Sequence, residues 1–334
     1  MPITSSDARS SPAHTGSLYT LLVFVSLLLM LIAMVFSACL RLSGSGLGCA
    51  EWPACYALIE SQGGTESLAA AHLVPAWATV IHRLVATTLG ALVLGIVVSA
   101  WRRRKQPGQN LVIPFAVLGL TVFLSILGYR TPSPLLPWVA LSNLLGGMAM
   151  AAALWWLGQR SVSSGAGTPA ARGLRPWALA GILIVFLQIA LGGWVSANFA
   201  ALACTGLPGC GNFPWLDGPW RESLDLFRVL PVTDGGVIIT GDVAKVIHMI
   251  HRLGAAVTFL YIGWLGWRGL RLGDRYRGTG TAMLVLLLLQ ILLGIAAVVF
   301  GLPLAMVTAH NAVAALLLLS TVNLNHLLTP RAEK

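Results

Sequence analysis

Charge is scarce in this chain. Lys, Arg, Asp and Glu make up only 10% of its 334 residues, against 57% hydrophobic residues. A water-soluble domain is about one quarter charged, so the composition excludes an ordinary soluble fold. Acidic residues are scarcer still: 11, against 21 basic ones, for a net charge of +10. In a soluble domain that excess would suggest nucleic acid. In a membrane chain the clustering of cations on one side explains it, and no nucleic-acid partner is expected. The opening MPITSSDARSSPAHTG also lacks the basic stretch of a secretory leader. Residues 1–17 are expected to form a short cytoplasmic tail.

Long apolar runs are what the sequence has in quantity. SLYTLLVFVSLLLMLIAMVFSACL (17–40) exceeds the roughly 20 residues that span a bilayer. Eight spans are expected, near 18–40, 77–100, 111–128, 138–157, 177–197, 243–266, 281–300 and 305–325. Alternate connections are rich in arginine: Arg102, Arg103 and Arg104; then Arg160, Arg172 and Arg175; then Arg268, Arg271, Arg275 and Arg277. The other side holds most of the acids, including Glu51, Glu60, Glu66, Asp217, Glu222, Asp225, Asp234 and Asp242. The positive-inside rule then places both termini in the cytoplasm and the long loops 41–76 and 198–242 outside. Stretch 158–176 is rich in Gly, Ser, Ala and Pro and reads as a flexible cytoplasmic linker. It divides the chain into units 18–157 and 177–325, with a cytoplasmic tail at 326–334.

The two units repeat each other. Each has a C-x5-C in its first outer loop, CAEWPAC (49–55) and CTGLPGC (204–210). VIHRLVATTLGAL (80–92) matches IHRLGAAVTFL (250–260), and ALSNLLGGMAMAAAL (140–154) matches VTAHNAVAALLLL (307–319). A duplicated four-span unit keeps both copies in one orientation, as in parallel transporter repeats. The expected fold is therefore all-α integral membrane: eight transmembrane helices in two pseudo-symmetric four-helix bundles.

His251 lies about 8 residues into its span and His310 about 5, roughly 12 and 8 Å deep at ~1.5 Å per residue. Two helices of one bundle thus aim two imidazoles at one plane, which suits bis-histidine haem ligation. Zinc would want four ligands, and two or three are available per site. The competing reading is a pair of histidines that merely hydrogen-bond neighbouring helices. Gly192, Gly193 and Gly294 would let a flat macrocycle approach the helices. Arg83 and Arg252 follow histidines directly and could pair with a propionate, or simply snorkel. His248 shares a face with His251 and is a candidate proton or supporting group. Rival classes are a membrane cytochrome that only relays electrons and a repeat-built transporter. The apolar midplane argues against the transporter.

GSGLGCAEWPAC, IHRL, LQIALGGWVSANFAALAC, IHMIHRLGA and VTAHNAVAALLLL, in this order, resemble the haem A synthase family. The resemblance is to its bacterial members with a cysteine pair in each outer loop, and it covers about 18–325. It implies an oxidoreductase that oxidises one methyl group of haem O to the formyl group of haem A, by way of a hydroxymethyl intermediate, for terminal oxidases. It implies haem B as an iron cofactor held by His251 and His310. It also implies that the N-terminal half takes haem O as substrate, with His82 at the iron. Two departures stand out. Asn143 occupies the place of a second N-terminal histidine, and Thr79 that of a glutamate. Iron held by His82 alone and facing Asn143 is compatible with oxygen chemistry. The alternative is a divergent haem B-binding cytochrome or oxidase assembly paralogue without synthase activity. In the C-terminal half Gln188 and Gln290 each precede a glycine by four residues, whereas Leu124 precedes Gly128.

Of the five cysteines, Cys39 falls within the first span. Cys49 with Cys55, and Cys204 with Cys210, lie outside, where disulfides persist. They either pin the outer loops or form redox pairs. The second outer loop is expected to cap the haem pocket, with a short interfacial helix at 216–227. The resemblance implies a bacterial-type inner (cell) membrane setting within the lipid bilayer, a role in cytochrome oxidase assembly, and a haem O synthase as supplier. A homo-oligomer is compatible with the sequence.

Overall fold

A computed structural model describes residues 13–44, 76–106, 109–130, 136–162, 169–231 and 238–329. Helix dominates these segments, and 198–231 is mostly turns and irregular chain. Eight long helices follow one another: α1 (Ala13–Gly44), α2 (Ala76–Arg102), α3 (Val112–Arg130), α4 (Pro137–Val162), α5 (Arg175–Ala197), α6 (Gly241–Arg271), α7 (Asp274–Val299) and α8 (Leu304–Leu328). Seven of them are long and apolar enough to cross a membrane; the apolar part of α3 is shorter, Val112–Gly128. This is a multi-pass membrane protein. Leu84, Leu183, Leu260, Leu288 and Leu292 point outward and are exposed. In water such faces would be costly, whereas in lipid they meet a solvent as apolar as themselves.

The helix ends follow from local chemistry. Proline stands in the first turn of α5 and at the start of α4, where its missing N–H has no partner to lose. Arg102, Arg160, Arg268 and Arg271 sit in the last turns of α2, α4 and α6. There they face the negative end of the helix dipole.

Neighbour relations are cyclic within each half. α1 packs on α2 and α4, and α3 packs on the same two helices. Likewise α5 packs on α6 and α8, and α7 on those two. The halves meet where α4 touches α5 and α8, and where α1 touches α8. One apolar cluster centres on Val23, Ile96 and Leu154, and another on Ile262, Met283 and Leu318. At the arginine-bearing ends, Gln159 of α4 donates to Asn323 of α8 at 2.8 Å, and Asn323 donates to Thr279 of α7 at 2.9 Å. The edge of Trp156 also meets the His326 ring, with centroids 5.6 Å apart. His326 is buried in this contact.

α6 and α7 pack closely at a glycine. A Cβ on Gly280 would lie 2.7 Å from the Gly266 carbonyl oxygen and 2.8 Å from the Leu270 nitrogen. Only hydrogen fits there, the small-residue device of membrane helix pairs.

Two sequence expectations change in detail. α4 runs past 157 to Val162, and the linker contains a helical turn, Pro169–Arg172. The helix expected over 216–227 shrinks to Trp220–Ser223. The Asp225 carboxylate accepts a hydrogen bond from the Phe227 amide at 3.0 Å, and this side-chain turn diverts the backbone from helix. Trp194 of α5 anchors the short helix by donating to the Ser223 carbonyl at 2.9 Å. Cys49, Cys55 and most of loop 41–76 lie outside the described residues.

Candidate functional site

Two cavities lie toward the helix ends opposite the arginines, one in each half. The C-terminal cavity, of about 400 Å³, brings His248, His251 and Arg252 of α6 together with His310 of α8. Gln188 on α5 and Gln290 on α7 complete its polar wall. Each histidine is served by the helix preceding its own. The Gln188 amide nitrogen lies 3.1 Å from His251 Nδ1 and donates to the His251 carbonyl at 3.1 Å. The Gln290 amide nitrogen lies 3.0 Å from His310 Nε2. One turn beyond each glutamine is a glycine. A Cβ on Gly192 would meet the His251 ring carbon Cε1 at 3.1 Å, and one on Gly294 would meet that of His310 at 3.0 Å. The same three-part unit is thus built twice: glutamine, then a bare glycine one turn later, with an imidazole lying on it.

The unit is polar but unfinished. His310 Nδ1, Gln188 Oε1 and Gln290 Oε1 are buried with no hydrogen-bond partner among the described residues. A buried imidazole nitrogen without a partner is costly unless something binds there. His248 is buried as well, and its Nδ1 also lacks a partner.

The Arg252 guanidinium reaches over this cavity to the outer loop. Its Nη1 donates to the carbonyls of Gly206 (2.6 Å), Pro208 (3.1 Å) and Gly209 (2.7 Å), and its Nη2 to that of Cys204. Cys204 and Cys210 are disulfide-bonded and close this loop. Leu207 and Pro208 from the loop line the cavity, so the segment caps it, as the sequence reading expected of the second outer loop.

The N-terminal cavity is larger, about 910 Å³. His82 and Arg83 of α2, Asn143 of α4 and Ser37 of α1 are its main polar groups. Asn143 donates its amide hydrogen to Ser37 Oγ at 3.3 Å. Thr87, Thr121 and Ser125 also line it, but their hydroxyls donate to carbonyls four residues back on their own helices. Leu124 stands where the other half has glutamine, and a Cβ on Gly128 would meet nothing within 4 Å. Thr308 and Asn311 of α8 enter this cavity from the other half. Asn311 and Leu144 line both cavities, so α4 and α8 form the partition.

His251 and His310 are brought together as expected, and His82 and Asn143 share a cavity. The hydrogen bonds from Gln188 and Gln290, the contribution of Asn311 across the halves and the carbonyl cluster around Arg252 were not foreseen. The repeated Gln-x3-Gly spacing was the available signal for the first of these.

Residues 20–322 match the family described as cytochrome oxidase assembly protein. The chain is 35% identical to a haem A synthase of Shewanella oneidensis, covering 92% of this chain and 96% of that one. It is 27% identical to a haem A synthase of Rhizorhabdus wittichii, covering 98% of each. Against a haem A synthase of Halalkalibacterium halodurans it is 26% identical, over 86% of this chain and 89% of the other.

Proposed function

The chain belongs to the haem A synthase family of cytochrome oxidase assembly proteins, and from that premise we propose that it oxidises a methyl group of haem O to the formyl group of haem A. The observation that carries the site assignment is the doubled glutamine–glycine–histidine unit of the C-terminal cavity. It fits a planar iron macrocycle: two imidazoles from facing helices, a buried unpartnered nitrogen, and glycines that leave each ring room.

His251 and His310 would hold haem B in that cavity. A bound haem B would supply one-electron redox chemistry there. Gln188 and Gln290 would orient the rings once their side-chain amides turn, so that the buried Oε1 atoms accept the N–H of each ligating imidazole. The Cys204–Cys210 loop, through Leu207 and Pro208, excludes water.

Haem O is the substrate of the larger N-terminal cavity, with its iron on His82. Asn143, tied to Ser37, faces it and is a weaker iron ligand than imidazole, so one side of that iron stays open. Arg83 and Arg252 stand beside their histidines as propionate partners. The cyclic helix contacts support two four-helix bundles of eight spans related by an axis along the membrane normal. α3, at 19 residues, spans roughly 28 Å at 1.5 Å per residue, close to the hydrocarbon thickness. The arginine-bearing ends support cytoplasmic termini in a bacterial-type cell membrane, with the cavities toward the outer face. A haem O synthase would supply the substrate.

Complementation tests this reading. The chain is expressed in a bacterium that makes haem O but lacks its own haem A synthase. Return of the haem A absorbance of its terminal oxidase is expected. An oxidase that remains free of haem A, with the chain present in the membrane, would contradict it.

A further inference from the structure

Arg252 has more partners than a snorkelling arginine needs. Four carbonyls of one short loop, from Cys204, Gly206, Pro208 and Gly209, converge on its two terminal nitrogens. The loop is closed covalently by the Cys204–Cys210 bond. Cys204 Sγ also lies against α6, 3.8 Å from the Lys245 carbonyl. Lys245 and Arg252 are two turns apart on α6, and His251 adjoins Arg252. The helix that carries one imidazole therefore also carries the anchor of the lid.

A guanidinium has five N–H donors. The loop draws on the Nη1 pair and on Nη2. Nε–H and the second Nη2–H lie along one edge, in the fork that grips a carboxylate bidentately. Arg252 lines the cavity, which places its side chain beside an anionic group bound there. A haem carries two such groups, its propionates.

We infer that Arg252 is a positioning residue that joins the disulfide-closed loop to a carboxylate of the haem in the C-terminal cavity, so that haem occupancy and loop closure stabilise each other. The inference rests on the haem reading of that cavity. Coupling of this kind is reciprocal: if the closed loop holds the haem, the haem must protect the loop by the same factor. An arginine that only satisfies loop carbonyls would give no such link.

The disulfide is the reporter. Dithiothreitol reduces it with two electrons and two protons; the S–S bond breaks, two thiols form, and the reagent closes to its cyclic disulfide. Purified full-length protein, haem-loaded and haem-free, is treated with dithiothreitol. Thiols are trapped by iodoacetamide, and the Cys204 and Cys210 peptides are quantified by mass. At equilibrium in mixtures of reduced and oxidised dithiothreitol, haem loading is expected to raise the reduced-to-oxidised ratio needed for half-reduction about tenfold in the wild type, within the usual range of site-to-site coupling. In Arg252→Gln the haem-loaded to haem-free ratio of these midpoints should fall to near one, and Arg252→Lys should lie between. Wild-type protein loaded with haem dimethyl ester, which lacks the carboxylates, should also give a ratio near one. That arm needs no variant. A wild-type ratio near one, or a ratio unchanged by Arg252→Gln or by the ester, overturns the linkage. A wild-type chain that takes up no haem overturns the cavity reading and the linkage with it.

Discussion

The two cavities share a plan and differ in what fills it. In the C-terminal half both matched positions are imidazoles, each backed by a glutamine and a bare glycine on the preceding helix. In the N-terminal half the matched positions are His82 and Asn143, and Asn143 is turned toward Ser37. Leucine stands in place of glutamine, and Gly128 borders open space. The cavity is also more than twice as large. A site that must hold its group permanently benefits from two strong ligands and a tight fit. A site that must admit, oxidise and release a substrate needs an open face and room. On the proposed reading, the C-terminal cavity is a site of the first kind and the N-terminal cavity one of the second.

Removing the imidazoles should break the contrast most severely. His251→Ala or His310→Ala is expected to lower haem B content at least tenfold, beyond the effect of losing a supporting hydrogen bond. A pyridine haemochrome assay of the purified variants measures this, and full haem B content in both would sink the ligand assignment.

Asn143→His makes the N-terminal site resemble its counterpart. Substrate iron should move to a low-spin, bis-imidazole spectrum. A spectrum unchanged from that of the wild type would mean that Asn143 does not face the substrate iron.

The glycines sharpen the comparison sterically. Gly192→Leu and Gly294→Leu would press on the imidazole rings, and overpacking of this kind typically costs about 1–3 kcal/mol. Both should lose haem B, while Gly128→Ala, placed in open space, should leave haem content unchanged. Equal losses at all three positions would show that the C-terminal cradle is not specific.

The smallest effects belong to the glutamines. Gln188→Leu and Gln290→Leu should weaken haem B retention by about tenfold, the low end for supporting hydrogen bonds. The rate of haem transfer to an apo-globin acceptor reports it. Leu124→Gln in the other half should change haem B retention little.

Much of this plan is legible in the residues themselves. Apolar runs and arginine-rich connections locate the helices, because the bilayer imposes length and charge rules that leave few options. The matched positions of His82, Asn143, His251 and His310 reveal the repeat. Contacts between helices are less accessible. Nothing in the spacing of Gln188 and His251, 63 residues apart, says that their side chains meet. Nor does the sequence show that Asn311 would reach across to the other half, since that depends on how α4 and α8 face each other. The Arg252 cluster was obscured for a different reason. Its acceptors are backbone carbonyls, which have no letter in the sequence. Overestimating the helix at 216–227 was an error of periodicity, since the amphipathic pattern is present but Asp225 takes the backbone elsewhere.

The most direct test of the division of labour is a haem extraction. The chain is purified in detergent from a host that makes haem O but no haem A, and its haems are separated by chromatography and identified by mass. The account predicts haem B together with haem A or its hydroxymethyl precursor in the wild type. It predicts loss of haem B in His251→Ala. Haem B alone, or haem B with unmodified haem O, under conditions in which the Shewanella oneidensis relative yields haem A, would contradict it.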